Sequence, residues 1–366
     1  MTCTYSELGP LAADWDRLAL ASGSPFMTHA WLSCWWSAFG RGEPTWLLTR
    51  GTDGSILAGA FLQRIRRGRL ASAANVHSGA WDALARDEAA RTALWVALAR
   101  LGASRVYLCY MPKREHTRSA GDELERAGYR VLRVPGPFCP WLELPSTWEE
   151  LLASLSSGLR AQVRRRGRML AREGSLLFRT VTGGPTLEED LESFLKLEAS
   201  GWKGRSGTAI LSEPSTERFY RSFAAVAAQI GLLRLNLLEL DGTLIAGSYD
   251  CAFAGVGFLL KTCFSETHNR LSPGLVLLAE VLHASIREGL GGYDFLGEAD
   301  KYKTRWTSLV RPREQLWAYR GSARPGYLIR KRVRPWYRAV RDHVESRGRS
   351  RRSALDALAA PAITRQ

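Results

Sequence analysis

The sequence lacks long apolar runs and has few cysteines. No stretch approaches the roughly 20 residues that span a bilayer, and the first residues lack the basic start and apolar run of a secretory leader. The 6 cysteines show no paired spacing, which argues against a disulfide framework and against a zinc site. We therefore expect a reduced, cytoplasmic protein with no transmembrane segment and no metal.

Acidic residues are also scarce, because 36 Asp and Glu stand against 51 Lys and Arg and leave a net charge of +15. The excess is concentrated at the C-terminus, where residues 324–366 hold 12 basic and 3 acidic residues. The runs Arg330-Lys331-Arg332 and Arg347–Arg352 could contact an anionic membrane surface or a phosphate-rich partner such as tRNA. A solvated basic end segment explains them equally well.

The chain of 366 residues has room for two domains, and one unit of it is duplicated. Asp53-Gly54 and Asp241-Gly242 each predict a hairpin turn, and the same pattern of apolar and small residues follows both. A helix closed by glycine and a further strand come later in each copy: Ala93–Leu101 and Arg105–Tyr110, then Leu275–Glu288 and Tyr293–Leu296. An offset of 188 residues between the two turns predicts two copies of one domain rather than a solenoid.

Prolines between Pro135 and Pro145 mark the boundary between the two copies. The predicted units are a first domain over residues 1–140, a second domain over 141–323 and a basic tail over 324–366. The second domain opens with Ser146-Thr147-Trp148-Glu149, which has the spacing of a capping box and predicts the start of a helix.

Two helices carry unusual rows of side chains. The helix predicted from Ser24 to Phe39 opens near Thr28 and places three aromatic residues along one side: Trp31, Trp35 and Phe39. Such a row could stack on a sugar or a peptide, but it is more often core. A later helix repeats arginine every four residues, at Arg160, Arg164, Arg168 and Arg172. Because like charges at this spacing repel, the row suggests a phosphate-bearing partner, with a solvated face as the alternative.

The stretch from Gly255 to Trp306 predicts a buried strand, a loop, a helix and another strand. Val256–Phe264 is apolar or β-branched at most positions, as in a buried strand. After a polar loop, Ser272 and Pro273 are good N-cap and first-turn residues for a helix. A loop leading into a helix N-terminus presents free amides, which bind anions, although an ordinary crossover has the same pattern.

The second domain resembles the acyl-CoA-dependent N-acetyltransferase (GNAT) superfamily. Three motifs in the expected order carry the resemblance: Leu197–Gly204 with Gly207-Thr208-Ala209, Ser272-Pro273-Gly274, and Tyr293–Gly297 with Tyr302, Lys303 and Trp306. The first domain matches more loosely, through Ser24-Pro25-Phe26 and Asn75–Ser78. Two such domains in tandem resemble the FemAB-like group, and more narrowly the CelD type found with bacterial cellulose and exopolysaccharide genes.

The resemblance implies an α/β (α+β) protein of two tandem GNAT-like domains, each with a mixed, mostly antiparallel sheet flanked by helices. It also implies acyl transfer from acetyl-CoA or another acyl-CoA without a metal. In GNAT enzymes the loop before the long helix holds the donor's pyrophosphate through backbone amides. Here the donor-binding residues would be Arg270, Leu271, Ser272, Pro273 and Gly274, and Pro273 removes one amide from the usual glycine-rich form.

Acyl transfer needs a base for the acceptor, a donor to the oxyanion and an acid for the leaving thiolate. The resemblance implies Tyr302 as that acid. Glu298 and Asp300 follow a strand, where α/β folds gather their sites, so either could be the base. Asp250, an acid on an otherwise apolar strand, is another candidate base. The oxyanion donor would be a backbone amide of the strand Val256–Phe264.

Further residues are predicted to bind the substrates. Lys303 matches a lysine that contacts substrate phosphates in Fem-type ligases, and we count it with the catalytic residues. Lys261, predicted on the same strand face as Leu259 and Cys263, would point into the cleft. The remaining substrate-binding candidates are Trp202, Lys203, Arg305 and Trp306.

These features predict an acyltransferase that acylates an amine or hydroxyl of a sugar or peptide building block for the envelope or an exopolysaccharide. One alternative is an aminoacyl-tRNA-dependent, Fem-type peptidyltransferase, which the basic tail and the arginine row would suit. That enzyme would lose activity steeply with salt, because phosphate contacts release counterions. Another alternative is a non-catalytic GNAT-like module that binds polysaccharide or a synthase subunit.

Overall fold

The computed structural model describes residues 2–66, 68–113 and 115–333, apart from the side chains of 115–118 and 333. The strands among these residues are β1 (Thr2–Tyr5), β2 (Glu43–Arg50), β3 (Ile56–Arg64), β4 (Arg69–Ser72), β5 (Leu84–Ala85), β6 (Arg105–Pro112), β7 (Arg130–Glu143), β8 (Leu176–Val181), β9 (Leu233–Leu240), β10 (Thr243–Phe253), β11 (Val256–Phe264), β12 (Gly292–Asp294) and β13 (Val310–Tyr319). The predicted basic run Arg347–Arg352 lies outside the described residues.

The helices in the described part of the chain are α1 (Ala12–Ser22), α2 (His29–Phe39), α3 (Glu88–Arg100), α4 (Glu115–Arg126), α5 (Trp148–Ser154), α6 (Ser157–Glu173), α7 (Leu187–Ser200), α8 (Trp202–Arg205), α9 (Pro214–Gln229), α10 (Pro273–Arg287), α11 (Lys301–Thr304) and α12 (Pro325–Leu328). A 3-10 turn over Glu266–Leu271 precedes α10. Thr28 caps α2 as predicted, because its hydroxyl accepts from the amide of Trp31 at 3.2 Å. The capping box of α5 is formed one residue later than predicted, by Thr147 and Glu150.

The described strands form one sheet in the order β1-β2-β3-β4-β6-β13-β7-β12-β11-β10-β9-β8, with β5 beside β3. The early strands of each half lie at an outer edge of the sheet and its later strands lie toward the middle, so the two halves have the same arrangement. In each half an antiparallel meander (β2-β3-β4 or β9-β10-β11) is followed by a helical crossover (α3 or α10) to a parallel strand (β6 or β12). The predicted fold class, two tandem units with mixed, mostly antiparallel sheets, is confirmed.

Two strands connect the halves. β7 pairs with β13 over most of its length and then, through residues 141–143, with β12 of the second half. β13 comes after the second half in the chain, yet it lies between β6 and β7 of the first half. The domain boundaries at residues 140 and 323 stay predictions. They did not anticipate that β13 pairs with strands of the first half, because no sequence feature of β13 indicates its partners.

The halves also share a core. α2 and α9 occupy equivalent positions in the duplication and pack on each other, as the matching surfaces of a symmetric dimer would. Trp31 of α2 is fully buried, and its ring centroid lies 5.0 Å from that of Phe219 and 4.6 Å from that of Phe223 on α9. The aromatic row of α2 is therefore core, which was the more common interpretation of such a row. A second core, under α5, α6 and α10, covers the other face of the second half.

Candidate active site

A cavity of about 780 Å³ opens between β11 and β12, at the seam between the two halves. The two strands pair in parallel only over residues 256–258 and 292–294, after which they separate. The second half lines the cavity with the end of α7, β11, the start of α10 and residues 295–306, and the first half contributes residues 76–79, Tyr110, Pro137 and Cys139. Open α/β sheets bind ligands where parallel strands separate at their carboxyl ends, so this cavity is the candidate active site.

A β-bulge interrupts β11 inside the cavity. Tyr249 pairs with Lys261 and Asp250 pairs with Leu259, so Leu260 has no counterpart on β10. The extra residue of a bulge is left out of the ladder, so the amide of Leu260 is a candidate hydrogen-bond donor to a ligand. The bulge also corrects one prediction. Lys261 does not share a face with Leu259, because Leu259 packs in the core under α10 while the ammonium nitrogen of Lys261 lies 5.5 Å from the ring centroid of Tyr220 on α9.

The start of α10 forms the far wall of the cavity. Ser272 occupies the predicted N-cap position, but its φ of 56° is left-handed and its side chain caps no amide, which differs from our expectation. The amides of Ser272 and Leu275 bond to Asn269 O and Ser272 O, both at 3.0 Å, and Pro273 has no amide hydrogen. The amide of Gly274 is therefore the first-turn donor left for an anion. Three predicted donor-binding residues lie outside the cavity wall: Arg270, Leu271 and Pro273.

Strained backbone is concentrated around this cavity. Six non-glycine residues of the described chain have positive φ, and three of them line the cavity: Tyr110, Ser272 and Leu296. Tyr110 and Leu296 are equivalent in the duplication. Each lies just after the residues of β6 or β12 that pair in parallel with the neighbouring strand. Left-handed backbone costs roughly 1 to 3 kcal/mol in such residues and persists where surrounding structure enforces it, commonly at functional sites.

The segment after β12 places both Tyr302 and the buried Lys303 at the cavity wall. Partial burial and the negative charges of Asp300 and Asp250 raise the pKa of Tyr302, so its hydroxyl keeps its proton at neutral pH. The ammonium of Lys303 is buried and donates to Leu296 O at 3.0 Å and to Glu298 O at 3.1 Å, and it lies 3.2 Å from Asp300 Oδ2. Lys303 therefore holds this segment together, and contact with a substrate phosphate would break those bonds. Asp300 lines the cavity, whereas the exposed side chain of Glu298 does not.

Asp250 is buried behind the cavity wall. Its Oδ2 accepts from the Tyr293 hydroxyl at 2.6 Å and from the Asn236 amide at 3.2 Å, and its Oδ1 has no partner. Burial raises the pKa of Asp250 to about 7, although the hydrogen bond from Tyr293 and the nearby Ser248 hydroxyl act in the opposite direction. Ser248 lines the cavity and lies two residues before Asp250 on the same strand face. Asp250 itself does not line the cavity, and the Asn236 amide, which also donates to Ser248 Oγ at 3.1 Å, links the two side chains.

Substituting Asp250 by asparagine should remove a pH dependence of folding. Because the folded pKa is about 7 and the ordinary value is 3.8, the folded protein holds a proton that the unfolded chain releases. The stability from this group is complete below about pH 4 and is lost as the pH rises through 7. We expect the unfolding free energy of the wild type to fall by about 2 to 3 kcal/mol more than that of Asp250→Asn between pH 5 and pH 8. Denaturant titrations at four pH values test this, and parallel pH profiles would show that the buried carboxyl is ionised throughout.

Comparison with known proteins identifies the second half. Residues 157–304 match the acetyltransferase (GNAT) domain family. The second half is a GNAT acyltransferase domain. A search of the curated proteins finds no significant match. In the described part of the chain no helix is long and apolar enough to cross a membrane, and residues 2–66, 68–113 and 115–333 contain no cluster of side chains that could hold a metal ion.

Solved structures extend the likeness to both halves. FemX is 13% identical and aligns over 86% of this chain and 98% of its own, with a TM-score of 0.61. The C-terminal domain of a provisionally assigned lysylphosphatidylglycerol synthetase from Agrobacterium fabrum is 14% identical over 88% and 95% of the two chains, with a TM-score of 0.55. L-PGS from Bacillus licheniformis is 13% identical and aligns over 87% of this chain and 92% of its own, with a TM-score of 0.54. At these identities the likeness establishes the fold, which is a FemAB-like tandem GNAT fold.

The GNAT domain holds Lys203 at the cavity wall with a carboxylate that the sequence-based assignment did not single out. The ammonium of Lys203 lies 3.2 Å from Glu198 Oε1 and donates to Thr262 O at 2.7 Å. Glu198 is buried, and its other oxygen accepts from the amide of Ile210 at 2.7 Å. Lys203 therefore joins α7 and α8 to β11, and the motif Leu197–Gly204 stabilises the cavity wall. Glu198 is the single acidic residue of this motif, and that could have identified it from the sequence.

The remaining predicted substrate residues line the cavity in different ways. Trp202 is 56% exposed at the rim, and its amide donates to Glu266 Oε1 at 2.9 Å. Arg305 is exposed and donates to the side chain of Gln162 on α6. Trp306 is 4% exposed and belongs to the core under α10, so its ring borders the cavity mainly as packing.

The equivalent opening in the first half of the GNAT fold is filled. Trp81 is fully buried there, with its indole donating to Phe61 O at 3.0 Å and its amide to Tyr110 O at 3.1 Å. α3, the counterpart of α10, is capped by Asp87, whose carboxylate accepts from the amide of Ala90 at 2.8 Å. A negative charge from the chain itself thus occupies the anion site of the first half, whereas the corresponding turn of α10 has no side-chain cap.

The two halves are tied together across the cavity. Arg313 of β13 is buried, lies 3.6 Å from Asp294 of the second half and donates to Gly79 O of the first half at 3.1 Å. Burial raises the pKa of Asp294, while the positive charge of Arg313 acts against that rise. Asp294 was not among the predicted site residues, since its partner is distant in the sequence.

Proposed function

We propose that the second half transfers an acetyl or other acyl group from an acyl-CoA to an amine or hydroxyl of a sugar or peptide building block. The observation that carries this proposal is the opening between β11 and β12, which has the Leu260 bulge on one side and the uncapped start of α10 at its end. The filled opening and the Asp87 cap of the first half support a single catalytic half. The resemblance to the CelD type supports an envelope or exopolysaccharide setting and a cytoplasmic location.

Each step of the transfer has a candidate group in the described structure. The Leu260 amide would donate a hydrogen bond to the acyl oxygen as negative charge develops on it. Tyr302, which keeps its proton at neutral pH, would give that proton to the leaving thiolate. Asp250 would take the acceptor's proton through the Ser248 hydroxyl, and Asp300 is the alternative base at the cavity wall. The amide of Gly274 would hold the donor's pyrophosphate, with no metal required.

Calorimetric titration with acetyl-CoA tests the donor assignment. We expect saturable one-site binding that weakens at least about tenfold in Gly274→Trp. A Cβ at Gly274 would already lie 3.2 Å from the Phe264 ring, so a larger side chain must enter the cavity. Gly158→Trp is the matched control, because no atom lies within 4 Å of a Cβ there.

The control variant should bind acetyl-CoA as the wild type does. Failure of the wild type to bind acetyl-CoA or longer acyl-CoAs would contradict the acyl-CoA donor. The aminoacyl-tRNA donor would then be the better proposal, because Arg164, Arg165, Arg168 and Arg172 are exposed on α6, next to the turn whose Arg270 carbonyl accepts from Arg166.

A further inference from the structure

Two lysines of the cavity wall, Lys261 and Lys301, form no ion pair within the described residues; Lys301 is exposed to solvent, whereas Lys261 is half-buried. Lys203 and Lys303 each lie 3.2 Å from a carboxylate oxygen, of Glu198 and Asp300 respectively. The ammonium nitrogen of Lys261 lies over the face of the Tyr220 ring, 5.5 Å from the ring centroid. Lys261 directly follows the bulge residue Leu260, so its side chain starts next to the proposed oxyanion donor.

The surroundings of Lys261 do not neutralise its charge. The two oxygens of Glu198 are already occupied by Lys203 and by the amide of Ile210. His77, from the first half, is neutral, because burial and the charge of Lys261 lower its pKa to about 4. Burial and the charge of Lys203 also lower the pKa of Lys261 itself. A half-buried cation without a counter-charge is unfavourable, and a ligand that brings a negative charge removes that cost.

We propose that Lys261 receives a carboxylate or phosphate group of the acceptor, so that the natural acceptor is an anionic amine or alcohol. This inference rests on the proposed acyl transfer and adds the class of acceptor to it. The bulge turns Lys261 toward α9, on the side of the cavity closed by His77 of the first half. The anionic group would therefore lie one side-chain length from the Leu260 amide, which leaves the acceptor's nucleophile near the acyl carbon.

Matched acceptor pairs test the proposal by turnover with acetyl-CoA. The pairs are glucosamine 6-phosphate with glucosamine, and alanine with alaninamide, so that the members of each pair differ in one anionic group, a phosphate or a carboxylate. We expect the wild type to prefer the anionic member about ten- to hundred-fold in kcat/KM. Lys261→Met should lose this preference through a higher KM for the anionic member, and Lys261→Arg should keep most of it. Lys196→Met, an exposed lysine on α7 outside the cavity wall, is the control.

Two results would overturn the proposal in that assay. An unchanged preference in Lys261→Met would show that another residue binds the anionic group of the acceptor. Loss of kcat in both Lys261→Arg and Lys261→Met, with activity rising with pH in the wild type, would make Lys261 a base instead of an anchor.

A second measurement does not depend on turnover. Reductive methylation with carbon-13 gives each lysine an NMR signal, and Lys261→Arg assigns the one that belongs to Lys261. Titration with inorganic phosphate and with succinate should raise the pKa of Lys261 by about one unit in the millimolar range, without moving Lys196. No change of the pKa with either anion would overturn the proposal even if acyl-CoA binding is confirmed. A pKa shift in a protein that does not bind acyl-CoA would instead contradict the proposed acyl transfer and leave the anion site intact.

Discussion

Replacing Tyr302 with phenylalanine is expected to lower kcat for acyl transfer by roughly 10²- to 10⁴-fold, the usual contribution of a positioned general acid. The hydroxyl keeps its proton because partial burial and the charges of Asp300 and Asp250 raise its pKa. Without it, the leaving thiolate must depart as an anion from a partly buried site. The ring remains in the variant and keeps its packing over Lys303, whose ammonium lies 5.4 Å from the ring centroid.

The variant is measured by thiol release under saturating acyl-CoA, together with the dissociation constant for the donor. We expect kcat to fall while donor binding changes less than about threefold, since the hydroxyl acts on the transition state. Tyr327→Phe, on α12 and away from the cavity wall, is the control for loss of a tyrosine hydroxyl. An unchanged kcat in Tyr302→Phe would mean that water protonates the thiolate and that Tyr302 only forms part of the wall.

Trp31→Ala should cost about 3 to 5 kcal/mol of folding free energy, the usual range for removing a large aromatic side chain from a core. Trp31 is fully buried and contacts aromatic rings of both halves, including Phe26 at 4.8 Å and Phe223 at 4.6 Å between ring centroids. Its indole nitrogen has no hydrogen-bond partner. The loss therefore comes from packing, and the resulting void lies where α2 meets α9.

Denaturant unfolding of the whole chain measures this loss. Trp31→Phe should recover more than half of it, because an aromatic ring still fills the space and no hydrogen bond is broken. Trp202→Ala removes a tryptophan that is 56% exposed and should change the unfolding free energy by less than about 0.5 kcal/mol. A loss below about 1 kcal/mol for Trp31→Ala would mean that the two halves unfold separately and that their shared core contributes little.

Local patterns predicted the elements around the cavity well. β11 begins at Val256 and ends at Phe264, as the apolar run indicated, and Pro273 is the first residue of α10. The hairpin at Asp241-Gly242 has positive φ at both residues, as the Asp-Gly signal requires. These features depend on neighbours in the sequence, so the sequence is enough to predict them.

Features that depend on distant partners were missed. The bulge at Leu260 comes from the register between β10 and β11, which no residue type in β11 indicates. The contact of Lys303 with a substrate stays a prediction, but its bonds to the carbonyl groups of Leu296 and Glu298 had no signal in the sequence. Ser272 is a good N-cap residue in general, yet the turn before α10 forces it into a left-handed conformation in which its hydroxyl caps no amide.

The position of β13 bears on how the chain folds as it is made. β6 and β7 of the first half have β13 between them, and the last residue of β13, Tyr319, is synthesised 176 residues after Glu143 ends β7. At a synthesis rate of about 5 to 20 residues per second, this gap lasts roughly 10 to 35 s. During that time both strands have an open edge, a feature that promotes pairing with other chains. The sheet of the nascent first half therefore stays incomplete until its last strand has been synthesised.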